Sequence, residues 1–416
     1  MIWEIALKEM RNNTRSFKFH LVTITVILLV TASFYTMWGD YKHRVARFSP
    51  TNNSLWEVSI APNPLSIFVK GLDARIGRTF TSNWFSRIIC GSNPMEEQAA
   101  GFILTPDLLF LTTVVMTLIA IFFSFDLING ERETGTLQLL LSNAISRDAV
   151  IVGKTLGAMV CVLAPFIGSV LVGVIFLMLG ADVALSLSDL GRLGLLLLAS
   201  VVLIWSFFLL GTCASIVFSQ SATSLVALLF LWAVLVFGVP NISPLIAEKL
   251  VGVPSQEFLL QKRSQTWVKP VVEREWAERR GDRYSAQRVR EMFEMIVSEN
   301  RRLFEDYQQK LDRLVAYTDY ASMLSPVGCY QVAATSIMGT GPRDYAHLKR
   351  ALARYYYSLP IHGVDGSTAP FSYHRRSLRA SFDEGAVLSS GILVIMNVIL
   401  FLLAYTLFLK ADVRRV

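Results

Sequence analysis

Six long apolar blocks, charged only near their ends, limit what this chain can fold into more than any other feature. They occupy residues 19–38, 108–129, 151–181, 191–218, 222–242 and 386–409. A bilayer core about 30 Å thick needs about 20 helical residues to cross it, and each block is long enough. One such block could be a buried core helix of a soluble protein. Six in one chain point to membrane spans. Composition agrees: 53% of residues are hydrophobic and 17% charged, where a soluble chain carries about a quarter charged. The expected class is all-α: a polytopic membrane protein with six transmembrane helices.

The first block follows a polar leader of eighteen residues and no A-x-A pattern succeeds it, so it reads as a retained signal-anchor rather than a cleaved signal peptide. Within residues 1–18, Ile2, Ile5, Ala6, Glu9 and Met10 share one mostly apolar helical face. That pattern suits an amphipathic helix lying in the headgroup plane, with a simple extension of the first span as the alternative. Lys8, Arg11, Arg15 and Lys18 precede the first block, Arg132, Arg147 and Lys154 lie between the second and third, and Lys410, Arg414 and Arg415 follow the sixth. Crossing six spans in order puts these three regions on one side, and the positive-inside rule makes that side cytoplasmic. Both termini, including the tail 410–416, are then inside. The loops 39–107 and 243–385 are outside, and both exceed the length over which their own basic residues would set topology.

The two outer loops differ in texture. In 243–385, Val289, Met292, Phe293, Ile296, Leu303, Phe304, Tyr307, Leu311 and Leu314 recur at helical steps, and Tyr345, Leu348, Leu352 and Tyr355 do so again. A mainly helical extracytoplasmic domain between the fifth and sixth spans is therefore expected. Loop 39–107 mixes prolines, glycines and spaced apolar residues, as an ordered loop with short helices would. Cys90 and Cys329 fall in these two loops, and an oxidising compartment would permit a disulfide between them.

The net charge of +7 comes with no nucleic-acid-binding motif. There is no CxxC, HExxH or GxSxG, and the five histidines are scattered without ligand spacing. Gly153-Lys154-Thr155 resembles the tail of a phosphate-binding loop, but Asp148 stands where the required glycine would be. Gly153 and Gly157 form a GxxxG, a pattern of close helix packing. The sequence thus offers no catalytic, cofactor or metal site of its own.

The most informative segment, 130–150, joins the second and third spans on the cytoplasmic side. Gly130 and Gly135 loosen the helix exit, and Thr136 can cap a short helix whose apolar side is Leu137, Leu140 and Leu141. Glu131 and Glu133 precede that helix, where its dipole favours negative charge. Such a helix suits docking into a groove on another protein.

The segment resembles the ABC-2 family of permeases, whose pattern is an acidic residue, G-E-x-E-x-G-T-L, a leucine pair and P-I/V-S-R, ending near a lysine. Asp126, Gly130, Glu131, Glu133, Gly135, Thr136, Leu137, Leu140, Leu141, Ile145, Ser146, Arg147 and Lys154 match, and Ala144 stands where the family usually has proline. The resemblance is specific over residues 115–160. It implies a coupling helix that docks a separate cytoplasmic ABC ATPase through Gly130, Glu131, Arg132, Glu133, Thr134, Gly135, Thr136, Leu137, Leu140, Leu141, Ser146, Arg147 and Lys154. It further implies ATP and Mg held by that partner, a second permease copy or paralogue in a dimer, and a bacterial or archaeal cytoplasmic membrane. Export of a substrate is the first expectation. Mechanical action on a periplasmic partner is the second, and an ATP-independent scaffold or receptor the third.

Overall fold

The computed structural model describes residues 2–48, 57–82, 89–91, 106–137, 146–179, 183, 185–281, 285–359, 371–381 and 385–410. Helix α1 (Ile2–Arg15) is followed directly by α2 (Phe17–Arg47), with Ser16 between them capping α2 by accepting from Phe19 N at 3.2 Å. Next come α3 (Leu108–Glu133), α4 (Arg147–Leu179), α5 (Leu187–Val217) and α6 (Ser221–Val251). Helices α7 (Gln256–Arg279), α8 (Ala286–Ser322), α9 (Pro326–Met338) and α10 (Pro342–Ser358) lie between α6 and α11 (Val387–Lys410). Among the described residues, α2, α3, α4, α5, α6 and α11 are long and apolar enough to cross a membrane.

Helices α3 and α5 form the middle of the bundle, and α6 and α11 are the most exposed of the six. Core side chains include Ile121, Phe166, Phe207 and Phe208. Several hydroxyls inside the bundle are satisfied within their own helix, as an apolar solvent favours. Thr112, Thr117, Ser124, Ser200 and Thr212 each donate to the carbonyl four residues earlier. Others tie spans together: Trp232 Nε1 donates to Thr117 Oγ1 at 3.0 Å, and Asn397 Nδ2 to Ser206 Oγ at 2.8 Å. Two segments widen to π-helix, Leu111–Met116 in α3 and Val234–Gly238 in α6.

The bundle has two dissimilar ends. One carries α1, the end of α3, the start of α4 and the α5–α6 turn. At the other, both long loops build a single packed body. Loop 39–107 contributes an antiparallel sheet of β1 (Glu57–Ser59), β2 (Thr79–Ser82) and β3 (Ile89–Gly91) in the order β1-β2-β3. Short helices were expected there, and two helical turns, Pro64–Ile67 and Asp73–Ile76, accompany the strands. The strands' alternating Val58 and Phe80 pack with Ile60 and Ile76 on Leu348, Leu352 and Tyr356 of α10. Asn63 Nδ2 donates to Met338 O at 3.0 Å, and Leu72 N to Thr340 O at 2.8 Å, joining the two loops.

The stripe read along 289–314 faces inward on α8, with Met292, Ile296, Leu303 and Phe304 buried. Helix α8 packs on the outer part of α6, which runs past the apolar block to Val251, and on α7 and α10. Helix α7 escaped the sequence reading because its apolar residues have no dominant face.

Helix α9 is an unanticipated element, seated between α5 and α11. Its Ser325 cap donates to Leu235 O in the π-segment of α6 at 2.7 Å, and Tyr330 OH lies 2.9 Å from Ser200 Oγ of α5. Cys329 therefore does not sit in an open loop. Its thiol is buried and free, donating to Met323 O at 3.3 Å. The side chain of Cys90, the partner that an oxidising compartment would permit, lies outside the described residues.

Candidate functional site

The predicted docking segment starts at the end of α3, whose regular helix gives way to a turn over residues 125–128 and resumes for one helical turn, Asn129–Glu133. The turn is held from below. Ser215 Oγ of α5 accepts from Ile128 N at 2.9 Å and Asn129 N at 3.1 Å, and donates to Asn129 Oδ1 at 3.1 Å. Asn129 Oδ1 also accepts from Ser221 Oγ at 3.2 Å. Asn129 is fully buried.

The two glutamates of the turn both bond to other parts of the chain. Glu131 Oε1 meets Lys154 Nζ of α4 at 3.0 Å, and the same ammonium meets Glu9 Oε2 of α1 at 3.0 Å. Lys154 is 3% exposed, so this charge is held by its two carboxylates and not by water. Glu133 Oε1 accepts from Ser221 N at 2.7 Å, filling an orphan donor at the start of α6 where the dipole favours a carboxylate. The glutamates were expected to precede the docking helix. Here they lie within the helical turn Asn129–Glu133 and bind it to α1, α4 and α6.

Helix α1 reaches this place because α4 has no side chain in its way. A Cβ on Gly153 would meet Ile5 Cβ at 2.9 Å, and one on Gly157 would meet Glu9 Cβ at 2.9 Å and the Ala6 backbone. The GxxxG of the sequence is thus a seat for α1. On α2, Lys18 Nζ pairs with Asp126 Oδ2 at 3.0 Å and lies over the rings of Phe122 and Phe125.

Beyond the turn the chain opens outward. Gly135 has φ +72°, in the left-handed region that favours glycine, and reverses the chain. Thr134, Gly135 and Thr136 are exposed, and Arg132 is half-buried. Leu137 turns back, buried among Ile128, Val150, Ile151, Ile216 and Phe408. Leu140, Leu141, Ala144 and Ile145 lie outside the described residues. At the return, Ser146 Oγ accepts from Ala149 N at 3.4 Å. Arg147 Nη1 donates to Leu409 O at 3.0 Å, and Tyr405 OH to Asp148 Oδ1 at 3.0 Å, fastening the start of α4 to the end of α11.

Of the sequence-predicted residues, Glu131, Glu133, Leu137, Arg147 and Lys154 make contacts within the chain, while Thr134, Gly135 and Thr136 form the exposed tip. Gly130 sits in the helical turn with ordinary room for a side chain. Glu9, Asn129, Ser215 and Ser221 escaped the sequence reading. Glu9 left a faint signal, as one of two acids in the first eighteen residues. The serines left none, because only the fold brings them to residue 129. Among the described residues, no group of three or more His, Cys, Asp or Glu could hold a metal ion. Lys154, the lysine of the false phosphate loop, is consumed by two ion pairs inside a helix.

The family model described as ABC-2 family transporter protein matches residues 3–413. A protein of Pseudomonas aeruginosa named "Probable ABC transporter permease protein NosY" is 34% identical over 116 residues, covering 26% of this chain and 40% of that protein.

Proposed function

The chain belongs to the ABC-2 transporter family, and from that premise we propose that it is the permease subunit through which a separate ATPase drives movement across a membrane. It is a multi-pass membrane protein, and its relative is named a permease. The ATPase docks on the tip 134–136 and the connection that follows, on the cytoplasmic side, with both termini on that side. ATP and Mg reside in the partner. The observation that carries this reading is the anchoring of the Asn129–Glu133 turn. A push on Thr134–Thr136 reaches α4 and α1 through Lys154, α6 through Glu133, and α5 through Ser215. A plain hairpin would need none of these ties.

The opposite end then faces outward, and the function is export of a substrate. A second reading, transmission of force to an extracytoplasmic partner, is favoured by one feature. Helix α9 couples the outer body rigidly to α5 and α6, so re-packing of the spans moves that body.

Co-expression with the candidate ATPase and purification through a tag on this chain tests the proposal. Mg-dependent ATP hydrolysis in the purified complex supports it, and a chain that purifies without an ATPase contradicts it. In liposomes, substrate-stimulated hydrolysis with substrate appearing across the membrane selects export over force transmission.

A further inference from the structure

Between α8 and α10, in the outer body and far from the docking turn, lies a cleft of about 470 Å³. Its walls are of two kinds. Phe304, Ala353 and Tyr357 supply an apolar and aromatic side, with the Phe304 and Tyr357 rings 6.5 Å apart and tilted. Arg301, Arg350 and Arg354 supply guanidinium groups, with Glu305 among them.

The charges do not cancel. Arg301 Nε pairs with Glu305 at 2.8 Å and Arg350 Nη2 with Asp312 at 2.6 Å. Arg354 has no carboxylate partner among the described residues: its Nε donates to Arg350 O at 3.4 Å, and the residue is exposed where it lines the cleft. Behind the wall, Arg263 of α7 is 4% exposed and donates through Nη2 to Tyr357 OH at 3.0 Å, which fixes the phenol. Both carboxylate pairs are exposed, and such pairs contribute about 0–1 kcal/mol, so Arg301 and Arg350 can turn to an incoming anion at small cost. Guanidinium forks bind carboxylate and phosphate oxygens bidentately, and they stack on aromatic faces.

We propose that this cleft is a binding site for a small organic anion, a phosphate or carboxylate carried on an apolar or aromatic body. The volume falls in the range of small-molecule pockets, about 300–1,000 Å³. The anion sits on Arg354, with Arg301 and Arg350 swinging from their carboxylates to join it, and the body lies against Phe304 and Tyr357. The site is independent of ATPase docking, because no residue of the 126–154 region takes part.

Phenylphosphate is the probe, titrated calorimetrically against the purified full chain in nanodiscs at low salt, with inorganic phosphate as the anion lacking a body. Saturable phenylphosphate binding is expected, with inorganic phosphate at least tenfold weaker. Arg354→Gln, at an exposed position, should weaken phenylphosphate at least tenfold while leaving the thermal midpoint unchanged. Absence of saturable phenylphosphate binding would overturn the proposal, as would wild-type affinity in Arg354→Gln or equal affinity for the two probes.

Discussion

Lys154 of α4 sits 3.0 Å from Glu131, in the Gly-Glu pair near the end of α3, and the ion pair ties the two helices together. Because the ammonium is almost fully enclosed, removing it leaves Glu9 and Glu131 without their counter-charge. Breaking a buried pair from one side costs about 3–5 kcal/mol. Lys154→Ala should therefore lower the thermal midpoint of the purified chain sharply. Glu131→Gln should cost less, because Glu9 still compensates the lysine. Equal, small shifts in both variants would show that the triad carries no stability.

The seating of α1 gives a second expectation. Gly157→Ala puts a methyl against the Ala6 backbone and Glu9, and overpacking of this kind costs about 1–3 kcal/mol. The displaced α1 should expose Ala6, now 5% accessible. In an Ala6→Cys background, maleimide labelling should rise when Gly157→Ala is added. Gly168→Ala, in the same helix with nothing within 4 Å, should leave labelling unchanged.

Much of this architecture is readable from residues alone. Hydropathy finds the spans because bilayer thickness fixes their length. The three- and four-residue steps of α8 find its buried stripe, from Met292 to Phe304, because one helix face must leave water. The segment 130–150 stands out by its local pattern. What the pattern hides is direction. Glu131 and Glu133 look like charges presented to a partner, but Lys154 and Ser221 N lie 23 and 88 positions away, and only the packing of α4 and the α5–α6 turn brings them within reach. Helix α9 is hidden for a similar reason. Its thirteen residues are too few for a span, and nothing local says that Tyr330 will be enclosed beside Ser200. The small sheet is hidden because its strands have three or four residues each, too short for alternation to stand out.

A third expectation concerns Glu133. Its carboxylate is exposed but fills the first donor of α6, a contact worth about 1 kcal/mol at a helix start. Glu133→Ala should lower the thermal midpoint slightly, and Glu133→Gln, which keeps an oxygen acceptor, should restore most of the loss. If Gln destabilises as much as Ala, charge and not capping is what matters at that position.

In the outer body, Asp319 of α8 pairs with Arg343 at 2.7 Å, yet burial outweighs the guanidinium and holds its carboxyl above the ordinary value of 3.8. The native chain then binds this proton more tightly than the unfolded chain. Stability gains from Asp319 as pH falls from the raised native value to 3.8, and the gain is absent above that window. Unfolding followed across this range should show Asp319→Asn losing more stability on acidification than the parent. Identical slopes would assign the titration to other groups.

The account turns on the exposed tip at Thr134–Thr136. A photo-crosslinking amino acid at position 136 leaves Lys154, Glu133 and Ser215 untouched, and at Ser264 of α7 it samples the far end of the molecule. In membranes containing the ATPase, irradiation should join the ATPase to the chain from position 136 and not from position 264. An ATPase adduct from 264, or none from 136 in a complex that hydrolyses ATP, would contradict it.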